Sequence, residues 1–167
     1  MQNVYRCIYD YDGKQAAKFI QGSRKALRLF KVTFEDDRFV LTLVDAPTIK
    51  NKNICLIDIK GIELSLSTGV ATMVTINRAT IYQIDLNLKL QDGQMITLEF
   101  RSYRFIIELI KRLKQLGIDV NDPMNLLDII STGDRWAIDK YFSENLSELK
   151  KRYMIEENRK MNRYINE

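Results

Sequence analysis

Between about residues 26 and 116, short runs alternate apolar with polar residues, and then apolar residues recur three and four apart. A period of two belongs to strands with one buried face, and a period of 3.6 to an amphipathic helix. Seven strand-like stretches followed by one helix therefore predict an α+β fold. Its form would be a small antiparallel seven-stranded sheet, or partly open barrel, capped by that helix. Folds of this kind usually bind rather than catalyse.

The patterns also predict register. Phe30, Val32 and Phe34 alternate with Lys31, Thr33 and Glu35, and Phe39, Leu41 and Leu43 alternate with Val40 and Thr42. A turn at Asp36-Asp37 pairs Phe34 with Phe39, Val32 with Leu41 and Phe30 with Leu43, and it sets Glu35 opposite Arg38. A one-residue slip would turn one apolar set to water. Further strands are expected at residues 54–59, 62–66 and 70–76, with a bulge or bend at Gly61 and a turn at Ser67-Thr68-Gly69. Ile84, Leu86, Leu88 and Leu90 then alternate strictly, as do Ile96, Leu98 and Phe100. A two-residue Asp92-Gly93 turn would put Leu88 against Thr97. A three-residue loop, Gln91-Asp92-Gly93, sets Leu88 against Ile96 and asks Gly93 for a left-handed conformation.

Ser102 is the expected N-cap of the helix, which carries Phe105, Ile106, Leu109, Ile110, Leu113 and Leu116 on one face and stops at Gly117. Asp122-Pro123 is a second break. A short helix is predicted over residues 124–130 and a long one from Asp134 to about Ile165. Before the sheet, residues 4–9 read as a strand and residues 14–20 as a short helix. Three segments follow: a basic N-terminal segment over residues 1–25, the sheet with its helix over 26–117, and a helical C-terminal extension over 118–167. Removal of residues 134–167 is expected to leave a folded core.

The order of seven strands and a capping helix resembles the pleckstrin-homology (PH) superfold, including its GRAM-like and bacterial PH-like branches. The Phe-Glu-Asp-Asp-Arg-Phe-Val-Leu hairpin from Phe34 is similar to those bacterial forms. So are the run from Ile54 to Ile62, an I-x-L-x-D-I-x-x-I pattern, and the hairpin from Leu88 to Leu98. The resemblance covers a little over half of the chain. It implies a PH-like domain whose groove beside the helix takes peptides. Lys25, Arg28 and Lys31 fall roughly where the basic phosphoinositide motif of such domains lies, without the full motif.

Composition narrows the chemistry. Histidine is absent, which removes Ser-His-Asp and Cys-His machinery and His-based zinc sites. Two cysteines, Cys7 and Cys55, do not make a Cys-rich zinc site, and both are expected as free thiols. There is no glycine-rich phosphate loop. Asp10, Asp12, Asp36 and Asp37 are explained by turn chemistry. The chain is therefore expected to be no enzyme and to need no cofactor or metal. No apolar run approaches the ~18 residues of a membrane span. The start, MQNVYRCIYDYDG, lacks the apolar core of a secretory signal, so a cytoplasmic location is expected.

Two surfaces stand out. Residues 14–31 hold six basic residues and no acidic one: Lys14, Lys18, Arg24, Lys25, Arg28 and Lys31. They are candidates for binding anionic lipid, where each basic residue near the surface contributes ~1 kcal/mol, or the phosphates of nucleic acid. On the C-terminal helix, Trp136, Phe142, Leu146, Leu149 and Tyr153 are the candidate partner-binding residues, with Ile138 and Tyr141 beside them. A protein partner or a second copy of the chain, met through this helix or a sheet edge, is the expected function; anionic lipid is the alternative.

Overall fold

The first predicted hairpin forms in the expected register in a computed structural model that describes residues 4–11, 29–43, 51–72, 78–100 and 102–160. The chain is a mixed α+β fold. It divides into two compact units, Met1–Ile62 with Leu86–Phe100, and Glu63–Asp85 with Arg101–Glu167.

The first unit holds β1 (Val4–Tyr11), β2 (Leu29–Phe34), β3 (Arg38–Leu43), β4 (Lys52–Cys55), the end of β6 (Arg78–Leu90) and β7 (Met95–Phe100), in the order β4-β3-β2-β1-β7-β6. Phe30 pairs with Leu43, Val32 with Leu41 and Phe34 with Phe39. Val32, Phe34, Phe39 and Leu41 are buried on one face, and the Phe34 and Phe39 rings stand 4.8 Å apart. Each such side chain contributes about 1.5–3 kcal/mol through burial, which is why the register cannot slip. At the turn, the Glu35 amide donates to the Arg38 carbonyl at 2.9 Å. The Arg38 guanidinium reaches both Asp37 and Glu35.

The β6–β7 hairpin closes through the three-residue loop. Leu90 donates to the Gln94 carbonyl at 2.8 Å, Gly93 takes φ +87°, and the Asn87 and Thr97 side chains meet at 2.8 Å. Glycine adopts this φ without a Cβ penalty.

The second unit holds most of β5 (Ile59–Thr72), the start of β6, α1 (Tyr103–Gln115), β8 (Val120–Asn121), α2 (Leu126–Ile130), α3 (Arg135–Arg152) and β9 (Glu156–Lys160). Its strand order is β6-β5-β8, with β9 beside β5. Helix α1 buries Tyr103, Ile106, Leu109, Ile110 and Leu113. It ends on Gly117 at φ +75°, and the Ile118 amide turns back to the Leu113 carbonyl. Such left-handed closure satisfies carbonyls left over at a helix end. Asp122 starts α2 by accepting from the amides of Leu126 and Leu127, both at 2.8 Å. Asp134 starts α3 by accepting from Trp136 and Ala137.

Several expectations are corrected. Among the described residues there are nine strands, not seven; six of them, β2 to β7, fall between residues 26 and 116, and the strand order does not close into a barrel. Ser67-Thr68-Gly69 does not end a strand: β5 runs through Gly61 and this stretch for 14 residues, with a register irregularity between Ser67 and Gly69. Ser67 and Gly69 pair with β9, so their backbone groups are held in a ladder rather than released into a turn. Conversely, the strand expected at residues 54–59 begins at Lys52 and breaks into a 3-10 turn at Leu56–Asp58. Ser102 precedes α1 without a capping hydrogen bond from its side chain. The long tail helix ends at Arg152, because Tyr153 turns extended and the next residues pair with β5. The expected helix at residues 14–20 lies outside the described residues.

Candidate functional site

Helix α3 carries the candidate surface, and its two sides do different things. Among its 18 residues, Ile138, Phe142 and Leu149 are buried. Their spacing of four and seven puts them on one stripe of the helix. Phe142 is fully enclosed; its ring centroid lies 5.5 Å from that of Tyr82 on β6 and 6.4 Å from that of Tyr103 on α1. Phe142 and Leu149 are thus core residues of their own unit. Leu146 and Tyr153 are half-buried.

The outward side keeps large aromatic groups in water. Trp136 is 73% exposed and Tyr141 40%. The Lys140 ammonium sits 5.4 Å from the centre of the Trp136 ring, within cation–π range. Tyr141 also touches the edge of Phe142, with centroids 5.8 Å apart, which ties its position to the buried stripe.

A polar clasp joins α3 to α1. The Tyr103 hydroxyl donates to Asp139 Oδ1 at 2.6 Å, and Arg135 lies 3.6 Å from the other carboxylate oxygen. The Arg135–Asp139 pair is exposed enough to contribute little. The phenol is different. Burial first, then the hydrogen bond to Asp139, hold its proton well above the usual tyrosine range. A hydroxyl that keeps its proton serves as a hydrogen-bond donor, so the clasp ties α3 to α1.

Tyr103→Phe keeps the ring and removes the donor. A bond to a carboxylate with one side in water is expected to contribute about 1–2 kcal/mol at neutral pH, read by urea unfolding. The folded state holds the proton more tightly than the unfolded state, whose tyrosines titrate near pH ~10. The contribution is therefore complete below that pH and fades as pH rises past it. The gap between wild type and Tyr103→Phe should narrow in alkali; a constant gap would contradict the clasp.

A second buried polar group lies between β5 and β6 of the same unit. Ser67, Thr68, Gln83 and Asp85 are all buried, and Ser67 Oγ donates to Asp85 Oδ1 at 3.1 Å. Neither this group nor Tyr82, Tyr103 and Asp139 stood out from the sequence. Tyr103 and Asp139 are 36 residues apart, and no local period links them. A tyrosine opening an apolar helix face was the only available signal.

Of the basic candidates, Lys14, Lys18, Arg24, Lys25 and Arg28 lie outside the described residues. Lys31 is on β2, in register with Arg6 of β1 and Thr42 of β3. Among the described residues, no three His, Cys, Asp or Glu side chains are grouped to hold a metal ion, and no helix is long and apolar enough to cross a membrane. A scan against protein-family models and searches of curated proteins and of solved structures found no match.

Proposed function

We propose that the chain is a cytoplasmic, non-enzymatic binding module that engages a protein partner through the outer face of α3. The observation that carries this reading is Trp136, exposed on a helix that its opposite stripe anchors in the unit. Exposed tryptophan and tyrosine side chains are the types enriched in binding hot spots, and a fixed helix presents them with little ordering entropy. As part of the same proposal, the core is a PH-like domain. The succession of β1 to β7 and then α1 supports this once β1 is counted as the first of the seven strands.

Affinity capture with wild type and with Trp136→Ala/Tyr141→Ala tests the proposal. Trp136 is largely exposed and Tyr141 gives up only its edge contact with Phe142, so the double variant should stay folded with a loss of at most about 2 kcal/mol. A partner retained by wild type and lost by the variant supports the proposal. Equal capture by both contradicts it. Salt-sensitive co-sedimentation with anionic vesicles, unchanged in the double variant, would instead assign binding to the basic residues between Lys14 and Lys31.

A further inference from the structure

Strand β9 is badly suited to being a strand. Its five residues, Glu156, Glu157, Asn158, Arg159 and Lys160, include no β-branched and no aromatic side chain, the types that favour strands. Its fit to β5 is also imperfect. Ser67 pairs with Glu156, Gly69 with Arg159 and Val70 with Lys160, so three residue steps on β9 answer two on β5 and the ladder is interrupted. The pairing is parallel, whereas β1–β2, β1–β7, β2–β3 and β3–β4 are antiparallel. What holds β9 is therefore less its own sequence than the backbone edge of β5, whose N–H and C=O groups require partners. The tether between α3 and β9 is short, and Met154 within it is fully exposed.

We propose that the β5 edge from Ser67 to Val70 is a docking site for an extended segment of a protein partner, and that β9 is its displaceable occupant in cis. The proposal rests on the reading of the chain as a protein-binding module and names the partner's chemistry: an unfolded segment rich in β-branched residues, with no proline inside it. Main-chain hydrogen bonds supply affinity in this mode. A second copy of the chain is the poorer occupant. It offers the same charged β9 without the tether, which gives the cis strand an effective concentration of about millimolar. A β-branched segment competes because its intrinsic fit is better.

The probe is a fluorescein-labelled peptide, KTVTITVK, titrated into the full chain and followed by anisotropy. Arg159→Pro removes an amide from β9 and weakens the cis pairing. If β9 occupies the edge about nine-tenths of the time, this variant should bind the peptide about tenfold more tightly than wild type. A variant with a better strand, Glu156→Thr/Asn158→Val/Lys160→Val, should bind more weakly than wild type. Amide exchange at residues 67–70 should slow when peptide is added, and a peptide N-methylated on its edge amides should not bind. Equal affinities across the three proteins would overturn the proposal, as would binding that leaves residues 67–70 unprotected. Dimerisation of Arg159→Pro without peptide uptake would assign the edge to a second copy and overturn it as well. None of these outcomes bears on the Trp136–Tyr141 capture, which different side chains report.

Discussion

Phe142→Ala should destabilise the second unit by about 3–5 kcal/mol, the range for removing a fully buried aromatic side chain. The ring sits among Tyr82, Tyr103 and Tyr141. Its removal leaves Ile138 and Leu149 as the buried residues of α3. Aromatic contacts at these centroid distances add about 0.5–1.5 kcal/mol beyond buried area. The cavity would open beneath the Tyr103–Asp139 clasp, so that bond should weaken too. Chemical denaturation gives the loss, and amide exchange in α3 should rise with it. A loss below about 1 kcal/mol would show that the stripe is not docked.

Phe39→Ala should cost a similar amount, about 3–5 kcal/mol, in the first unit. Phe39 is fully buried, packs on the Phe34 ring and stands in register with Ile54 of β4. Strand β4 has four residues, so it depends on this contact more than on its own length. Val40 is the control. It is the next residue on β3 but points to the opposite face and is only half-buried. Val40→Ala should therefore cost much less. Equal losses at the two positions would mean that the alternation does not set the core. Because the chain forms two units, both variants should be followed by more than one probe, since one transition need not describe both.

Where one face of a strand pair is buried, the sequence was legible down to the register. The β2–β3 pairing follows from six apolar residues that must share a face. The Gln91-Asp92-Gly93 loop follows from keeping Leu88 opposite Ile96. The C-terminal end of α1 was legible for a similar reason, since Gly117 supplies the left-handed residue the helix needs. Strand β5 was not, because Gly61, Ser67 and Gly69 are turn formers by local preference and tertiary pairing overrides that preference. Strand β9 was illegible for the same reason in reverse: its residues favour helix or solvent, and the β5 edge alone draws them into a ladder.

The candidate surface was legible by half. Periodicity found a stripe of Ile138, Phe142, Leu146, Leu149 and Tyr153, of which Ile138, Phe142 and Leu149 are buried, yet a stripe does not say whether it faces its own fold or another chain. The second unit answers this by enclosing Phe142 between β6 and α1, which leaves Trp136 and Tyr141 outside. The same enclosure bears on removal of residues 134–167. The sequence predicted that a folded core would survive it, but the deletion would strip Phe142 from Tyr82 and Tyr103 and uncover an apolar surface.

Hydrogen exchange of the α3 amides, measured across a dilution series alongside mass by light scattering, tests most directly whether this helix is anchored in its own chain. Docking on Tyr82 and Tyr103 of the same chain predicts protection around Phe142 that does not change with concentration. Protection that falls on dilution together with the mass would place the stripe against a second copy and contradict the account.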